Sequence, residues 1–127
     1  MENCKTGYIL PANNQGVKRF CQTLDLKNDP TLIEEYKYWH SPENRWPEIP
    51  RGIREVGILD MEIYIFENRL FMIVETPVDF EWDEAFAKLA NLERQAEWEA
   101  FMSKFQVSDE NASSSDKWQL MDRIFKL

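Results

Sequence analysis

A single histidine, His40, two cysteines and four glycines are all that 127 residues offer of the types from which most metal, disulfide and phosphate sites are built. One imidazole without paired cysteines leaves zinc and haem sites weakly supported, so no metal and no cofactor is expected. Cys4 sits in a polar stretch and Cys21 in an apolar run, with no CxxC spacing; both read as reduced thiols of a cytoplasmic protein. The few glycines form no phosphate-cradling loop, and no nucleophile elbow is present to seat a Ser-His-Asp triad. No apolar run approaches the ~18 residues of a membrane span, and no basic stretch followed by an apolar one opens the chain. Positive charge is short as well: 15 Lys and Arg stand against 23 Asp and Glu, a net charge of −8. That balance argues against nucleic acid and anionic membranes, which need a basic face. It leaves small molecules and protein partners.

Hydrophobic residues make up 43% of the chain and aromatics 13%. That is enough for one folded domain with a core of its own. Residues 1–16 hold Gly7, Pro11, Asn13, Asn14 and Gly16 with little periodicity and read as a loosely ordered arm. Residues 17–127 read as a single domain.

Arg19 to Leu26 alternates as a strand, with Phe20, Gln22, Leu24 and Leu26 on one side. Asp29-Pro30 is a helix start, a capping carboxylate followed by a proline in the first turn. Leu32, Ile33, Tyr36 and His40 then recur at helical spacing. Ser41-Pro42 breaks this helix and Pro47 opens another, for which Gly57 is the stop. Ile58 to Phe66 is a strand, with Leu59, Met61, Ile63 and Ile65 on one face and Asp60, Glu62, Tyr64 and Phe66 on the other. Glu67-Asn68-Arg69 turns into an apolar strand over 70–75, paired antiparallel with it. Trp82, Phe86 and Leu89 mark a third helix, and Trp98, Phe101, Met102 and Phe105 a fourth. Asp109 to Asp116 is a polar loop, and 118–127 a closing strand. The order is the split βαβ of a ferredoxin-like α+β sandwich, an antiparallel sheet with helices on one face.

Acid–base chemistry is what these residues leave open. Tyr36 and His40, four apart, share a helix face that also carries Leu32 and Ile33, so they point inward and can converge on a small ligand. An imidazole near neutrality gives and takes protons; the bland alternative is a partly buried, hydrogen-bonded histidine at a helix end. Asp60, Glu62 and Tyr64 form the polar face of the central strand. That face is either simply solvated or, in a closed-over sheet, the lining of a cleft suited to sugar hydroxyls. Trp98 lies in an apolar stripe and reads as core. Trp46 precedes Pro47 near the His40 segment and offers a face for stacking on a sugar.

Several separated motifs together resemble a known family. Glu34-Glu35-Tyr36, His40, Trp46-Pro47-Glu48, Gly57, Ile63-Tyr64, Asn68-Arg69-Leu70-Phe71 and Trp98 with Phe101-Met102 match the order and spacing of the L-rhamnose mutarotase family. RFCQTLDL, GILDMEIYIFENRLFMIVE and AEWEAFMSKFQ are similar to its type 2 L-fucose mutarotase branch. The resemblance covers about residues 17 to 106. It implies dimeric ferredoxin-like subunits of the α+β barrel type, which interconvert the α and β anomers of a 6-deoxyhexose such as L-fucose without a cofactor. It also implies His40 as proton donor, Tyr36 as a sugar contact and Trp98 as part of the sugar pocket. Three places depart from the rhamnose-type pattern: Glu99 stands where a second Trp follows the first, Met61 stands where a Tyr is expected, and two extra residues separate His40 from Trp46. The first two favour a sugar other than L-rhamnose. The group paired with His40 stays open among Tyr36, Asp60, Glu62 and a water. The competing readings are another enzyme on the same scaffold and a catalytically drifted sugar-binding or regulatory module.

Overall fold

A computed structural model describes residues 4–9, 16–107 and 114–127. The elements run β1 (Tyr8–Ile9), β2 (Val17–Asp25), α1 (Pro30–His40), α2 (Glu48–Glu55), β3 (Asp60–Phe66), β4 (Arg69–Pro77), α3 (Trp82–Leu89), α4 (Gln95–Met102), α5 (Ser114–Lys117) and β5 (Gln119–Leu120). The sheet order is β1-β2-β4-β3, and β5 also pairs with β2. All pairings are antiparallel. The four strands β5-β2-β4-β3 give the ferredoxin-like arrangement expected from the sequence.

Local signals start and stop the elements where the sequence puts them. The Asp29 carboxylate accepts from the amides of Thr31 at 2.9 Å and Leu32 at 3.3 Å, and Pro30 follows it into α1. Gly57, with φ of 106°, turns the chain out of α2 in a conformation that favours glycine. The β3–β4 hairpin pairs Phe66 with Arg69, so Glu67 and Asn68 alone make the turn. Asn68 then ties that turn to the end of β2: its Nδ2 donates to the Leu26 carbonyl at 2.9 Å, and its own carbonyl accepts from the Leu26 amide at 2.7 Å.

Alternation decides which face is buried. Phe20, Gln22 and Leu24 of β2 and Leu70, Met72, Val74 and Thr76 of β4 point to the helix side and are buried. Tyr36, Ile49, Trp82, Phe86, Leu89, Trp98 and Met102 from the helices close over them. The other face carries Cys21, Thr23, Phe71 and Ile73, all half-buried. Helix α4 stops at Met102, short of Phe105. The next residues are clamped to the end of β2 instead: Lys27 donates to the Phe105 carbonyl at 2.8 Å and Val107 to the Asp25 carbonyl at 2.9 Å. This puts Phe105, fully buried, edge-on to Tyr36 at 5.8 Å.

Three expectations change. β3, expected as the central strand, is an edge of the sheet, paired with β4 alone among the described residues. The closing strand over 118–127 shrinks to Gln119–Leu120, and 121–127 are not strand. The reason lies in β2. Leu120 faces Gln22, and Met121 donates to the Cys21 carbonyl at 2.8 Å, so a longer strand needs the β2 edge beyond Phe20. Tyr8 and Ile9 already hold that edge at Arg19 and Lys18. The chain is turned aside, and the Arg123 amide donates to the Tyr8 hydroxyl at 3.0 Å while its guanidinium sits 4.7 Å over the ring. The same contacts show that the segment read as a loose arm contributes a strand. Residues 10–15 of that segment, and 109–113 of the expected polar loop, lie outside the described residues. Among the described residues no helix is long and apolar enough to cross a membrane.

Candidate active site

A cavity of about 360 Å³ opens between the helices and the sheet, within the ~300–1,000 Å³ usual for small-molecule sites. Tyr36 and His40 of α1, Trp98 and Glu99 of α4, Met61 and Ile63 of β3, and Gln22 of β2 are among its walls.

The helical spacing of Tyr36 and His40 stacks their rings at 4.1 Å with 28° between planes. His40 Nδ1 lies 2.7 Å from the Tyr36 carbonyl oxygen. A carbonyl only accepts, so Nδ1 carries the proton and Nε2 of the neutral ring carries the lone pair. Burial pulls the imidazole below its ordinary value, with the hydrogen bond to Tyr36 opposing it. The resting His40 is therefore a neutral base at Nε2. Burial pushes the Tyr36 phenol far above its ordinary range, with the hydrogen bond from Gln106 opposing it, so this hydroxyl stays protonated.

Trp98 meets His40 edge-on at 5.4 Å. Trp46 is brought to this cluster but is not among the cavity-lining residues. It lies parallel to Phe101 at 5.7 Å, meets Trp98 edge-on at 5.0 Å, and is capped by the Arg94 guanidinium at 4.0 Å. It backs Trp98 instead of offering a free face. The residues between His40 and Trp46 form a tight turn, in which Ser41 Oγ donates to the Tyr38 carbonyl and Asn44 Nδ2 donates to Ser41 Oγ, both at 2.8 Å.

The polar face of β3 is not brought to the cavity. Glu62 and Tyr64 are exposed on the far side of the sheet, where the Tyr64 hydroxyl donates to Glu62 at 3.2 Å. The cavity lies on the helix side, and a period of two sends Met61 and Ile63 there and Glu62 and Tyr64 away. Asp60, the first residue of β3, reaches the cavity rim.

Four polar residues of the wall, Gln22, Gln106, Gln95 and Lys117, are not site candidates in the sequence, and Glu99 is marked there only as a departure from the rhamnose-type pattern. Gln22 and Gln106 are 2% and 3% exposed, and each has a buried side-chain Oε1 with no hydrogen-bond partner. The Gln22 amide nitrogen meets only the Met72 sulfur, at 2.9 Å. Gln95 Nε2 donates to Glu99 Oε2 at 2.8 Å, and Lys117 Nζ donates to the Glu99 backbone carbonyl. Gln22 had a signal, since it sits on the apolar side of an alternating strand. Lys117, in a polar run after the fourth helix, had none.

An unsatisfied buried carbonyl costs about 1–3 kcal/mol. Two such acceptors share the cavity wall with a neutral imidazole and an indole, and hydroxyl groups can donate to them. The L-rhamnose mutarotase family model matches residues 19–127. This chain belongs to that family. An L-fucose mutarotase of Xanthomonas campestris is 34% identical over 111 residues, covering 87% of this chain and 89% of that protein. A UPF0734 protein of Dictyostelium discoideum is 39% identical over 115 residues, covering 87% and 90%. The crystal structure of an L-rhamnose mutarotase from Formosa agariphila superposes with a TM-score of 0.63 at 22% identity, over 87% of this chain and 98% of that one, a likeness of fold. Family membership points to sugar mutarotase activity.

Proposed function

We propose that the protein is a cofactor-independent aldose mutarotase acting on a 6-deoxyhexose, L-fucose foremost. The observation that carries this is the cavity chemistry: a half-buried imidazole whose tautomer is fixed with Nε2 unprotonated, and two buried carbonyl acceptors that lack protein donors. A pyranose supplies both needs, a ring of hydroxyl donors and an anomeric O–H for a base to take. His40 exchanges a proton with the sugar, Tyr36 fixes the His40 ring from behind, and the indole of Trp98 offers an apolar edge to the sugar's C–H groups. Glu99 and Met61, in place of the aromatic residues of rhamnose-type members, favour L-fucose over L-rhamnose, in line with the name of the Xanthomonas relative. The same reading takes the protein as a cytoplasmic homodimer. Ile124, Phe125 and Leu127 stand 96%, 75% and 104% exposed and Phe66 77%, apolar surface that a second copy would cover.

The test is exchange spectroscopy of free L-fucose, L-rhamnose, D-galactose and D-glucose with and without the protein. Line broadening or saturation transfer between anomers is expected, largest for L-fucose and without added metal or nucleotide. Unchanged exchange for all four sugars would refute the mutarotase reading, and a preference for L-rhamnose would refute the choice of sugar.

A further inference from the structure

Opening a hemiacetal moves two protons. One leaves the anomeric hydroxyl, and one arrives on the ring oxygen. His40 rests without a proton at Nε2, so it serves the first transfer and leaves the second without a source. Among the described titratable groups lining the cavity, Tyr36 holds its proton too tightly, Asp60 lies exposed at the rim, and Arg45 and Arg54 carry guanidinium groups that do not release a proton near neutrality. Glu99 and Lys117 remain.

Lys117 ends the short helix α5 and is 4% exposed. A buried ammonium needs compensation. It has two forms of it here: Nζ donates to the Glu99 carbonyl, and the carboxylate of the same residue, 7% exposed, is held in the same wall by Gln95. One hydrogen bond to the backbone leaves Nζ further protons to give. Burial draws the ammonium below its ordinary value while the Glu99 charge opposes that, which brings a lysine toward the range in which it gives and regains a proton.

We propose that Lys117 is the catalytic acid for the ring oxygen, held in place by Glu99, while His40 is the base for the anomeric hydroxyl on opening and the proton donor to it on closure; this rests on the mutarotase reading above. The O1–H bond breaks and its proton goes to His40 Nε2. The freed pair forms the C1–O1 double bond, the C1–O5 bond breaks with its pair going to O5, and O5 takes a proton from Lys117 Nζ. The carbonyl then rotates about C1–C2. On closure the O5 proton returns to Lys117, O5 attacks the other face of C1, and His40 returns its proton to O1. Both side chains are restored, and no further reactant is required. Glu99, where rhamnose-type members have tryptophan, becomes the feature that allows a lysine to stay charged in this wall.

The experiment follows anomer exchange of L-fucose from about pH 6 to about pH 10 for wild type, Lys117→Arg, Lys117→Met and Glu99→Gln, with circular dichroism on the same samples. Wild type should lose activity on an alkaline limb below the ~10.4 of an ordinary lysine. Both Lys117 variants should lose about 10²-fold or more in kcat with KM little changed, and the residual activity of Lys117→Arg should show no such limb. Glu99→Gln removes the charge that favours the ammonium, so its limb should move to lower pH. A folded Lys117→Arg that keeps wild-type kcat, or keeps the limb, overturns the assignment and leaves the mutarotase reading standing. If the Lys117 variants fail to fold, the limb decides. A wild-type profile flat to about pH 10, or a limb unmoved in Glu99→Gln, overturns the assignment too. A wild type that exchanges no sugar removes the mutarotase reading itself and this assignment with it.

Discussion

At the scale of single residues, one hydrogen bond sets the character of the site. The Tyr36 carbonyl lies 2.7 Å from His40 Nδ1 and leaves Nε2 as the unprotonated ring nitrogen. His40→Asn keeps a side-chain amide that can donate to the same carbonyl but deletes Nε2. It should lower kcat by about 10²- to 10⁴-fold with a melting temperature close to wild type, measured on the same samples by exchange spectroscopy and circular dichroism. A stable variant with the wild-type rate would remove His40 from the chemistry. The pH dependence follows from burial. The folded protein holds His40 below its ordinary value, so rate should fall on an acid limb below the ~6.5 of a free imidazole. Stability follows the same sign: between the folded value and ~6.5 the unfolded chain binds a proton that the folded chain does not, so stability declines as pH falls through that window. Urea denaturation at stepped pH checks this, and His40→Asn should lose that slope.

At the scale of elements, α1 both carries the pair and is tied down by a local signal. The Asp29 cap satisfies two amides at its start. Asp29→Ala should cost about 0.5–2 kcal/mol in urea denaturation and reduce activity less than His40→Asn does, since the cap lies at the far end of the helix from His40. What the sequence made legible follows the same division. Caps, proline starts, the Gly57 stop and the β3–β4 turn are local, and each was readable from a few adjacent residues. The Tyr36–His40 stack was readable too, because four residues is one turn of one helix. Lys117, Glu99, Gln95, Gln106 and Gln22 come from four separate stretches of chain and meet only through tertiary packing. Glu62 and Tyr64 show the converse: the alternation of their strand was clear, but which side held the cavity was not. The closing strand was overextended because its own residues suit a strand, and only the occupied edge of β2 stops it.

At the scale of the whole molecule, one sheet face lies under helices and the other, among the described residues, carries none, and the chain leaves β5 with apolar side chains in solvent. A dimer is expected from light scattering at micromolar concentration. Phe125→Asp should shift the population to monomer without unfolding it, because Phe125 is 75% exposed within one copy. A dimer as stable as wild type would place the interface elsewhere.

The junction of Tyr8 with Arg123 has a consequence for how the two ends of the chain depend on each other. The first and last strands compete for one row of hydrogen-bonding groups along β2, and the first one has won its upper half. Occupancy of that row is therefore a matter of relative affinity, as with two ligands sharing one receptor. A chain lacking residues 1–9 would free Arg19 and Lys18, and residues 121–123 should zip down the vacated row. Amide hydrogen exchange should then slow at Arg123 and around it, although nothing has been added to the protein. Faster exchange there would mean that the opening strand holds the tail in place instead of excluding it.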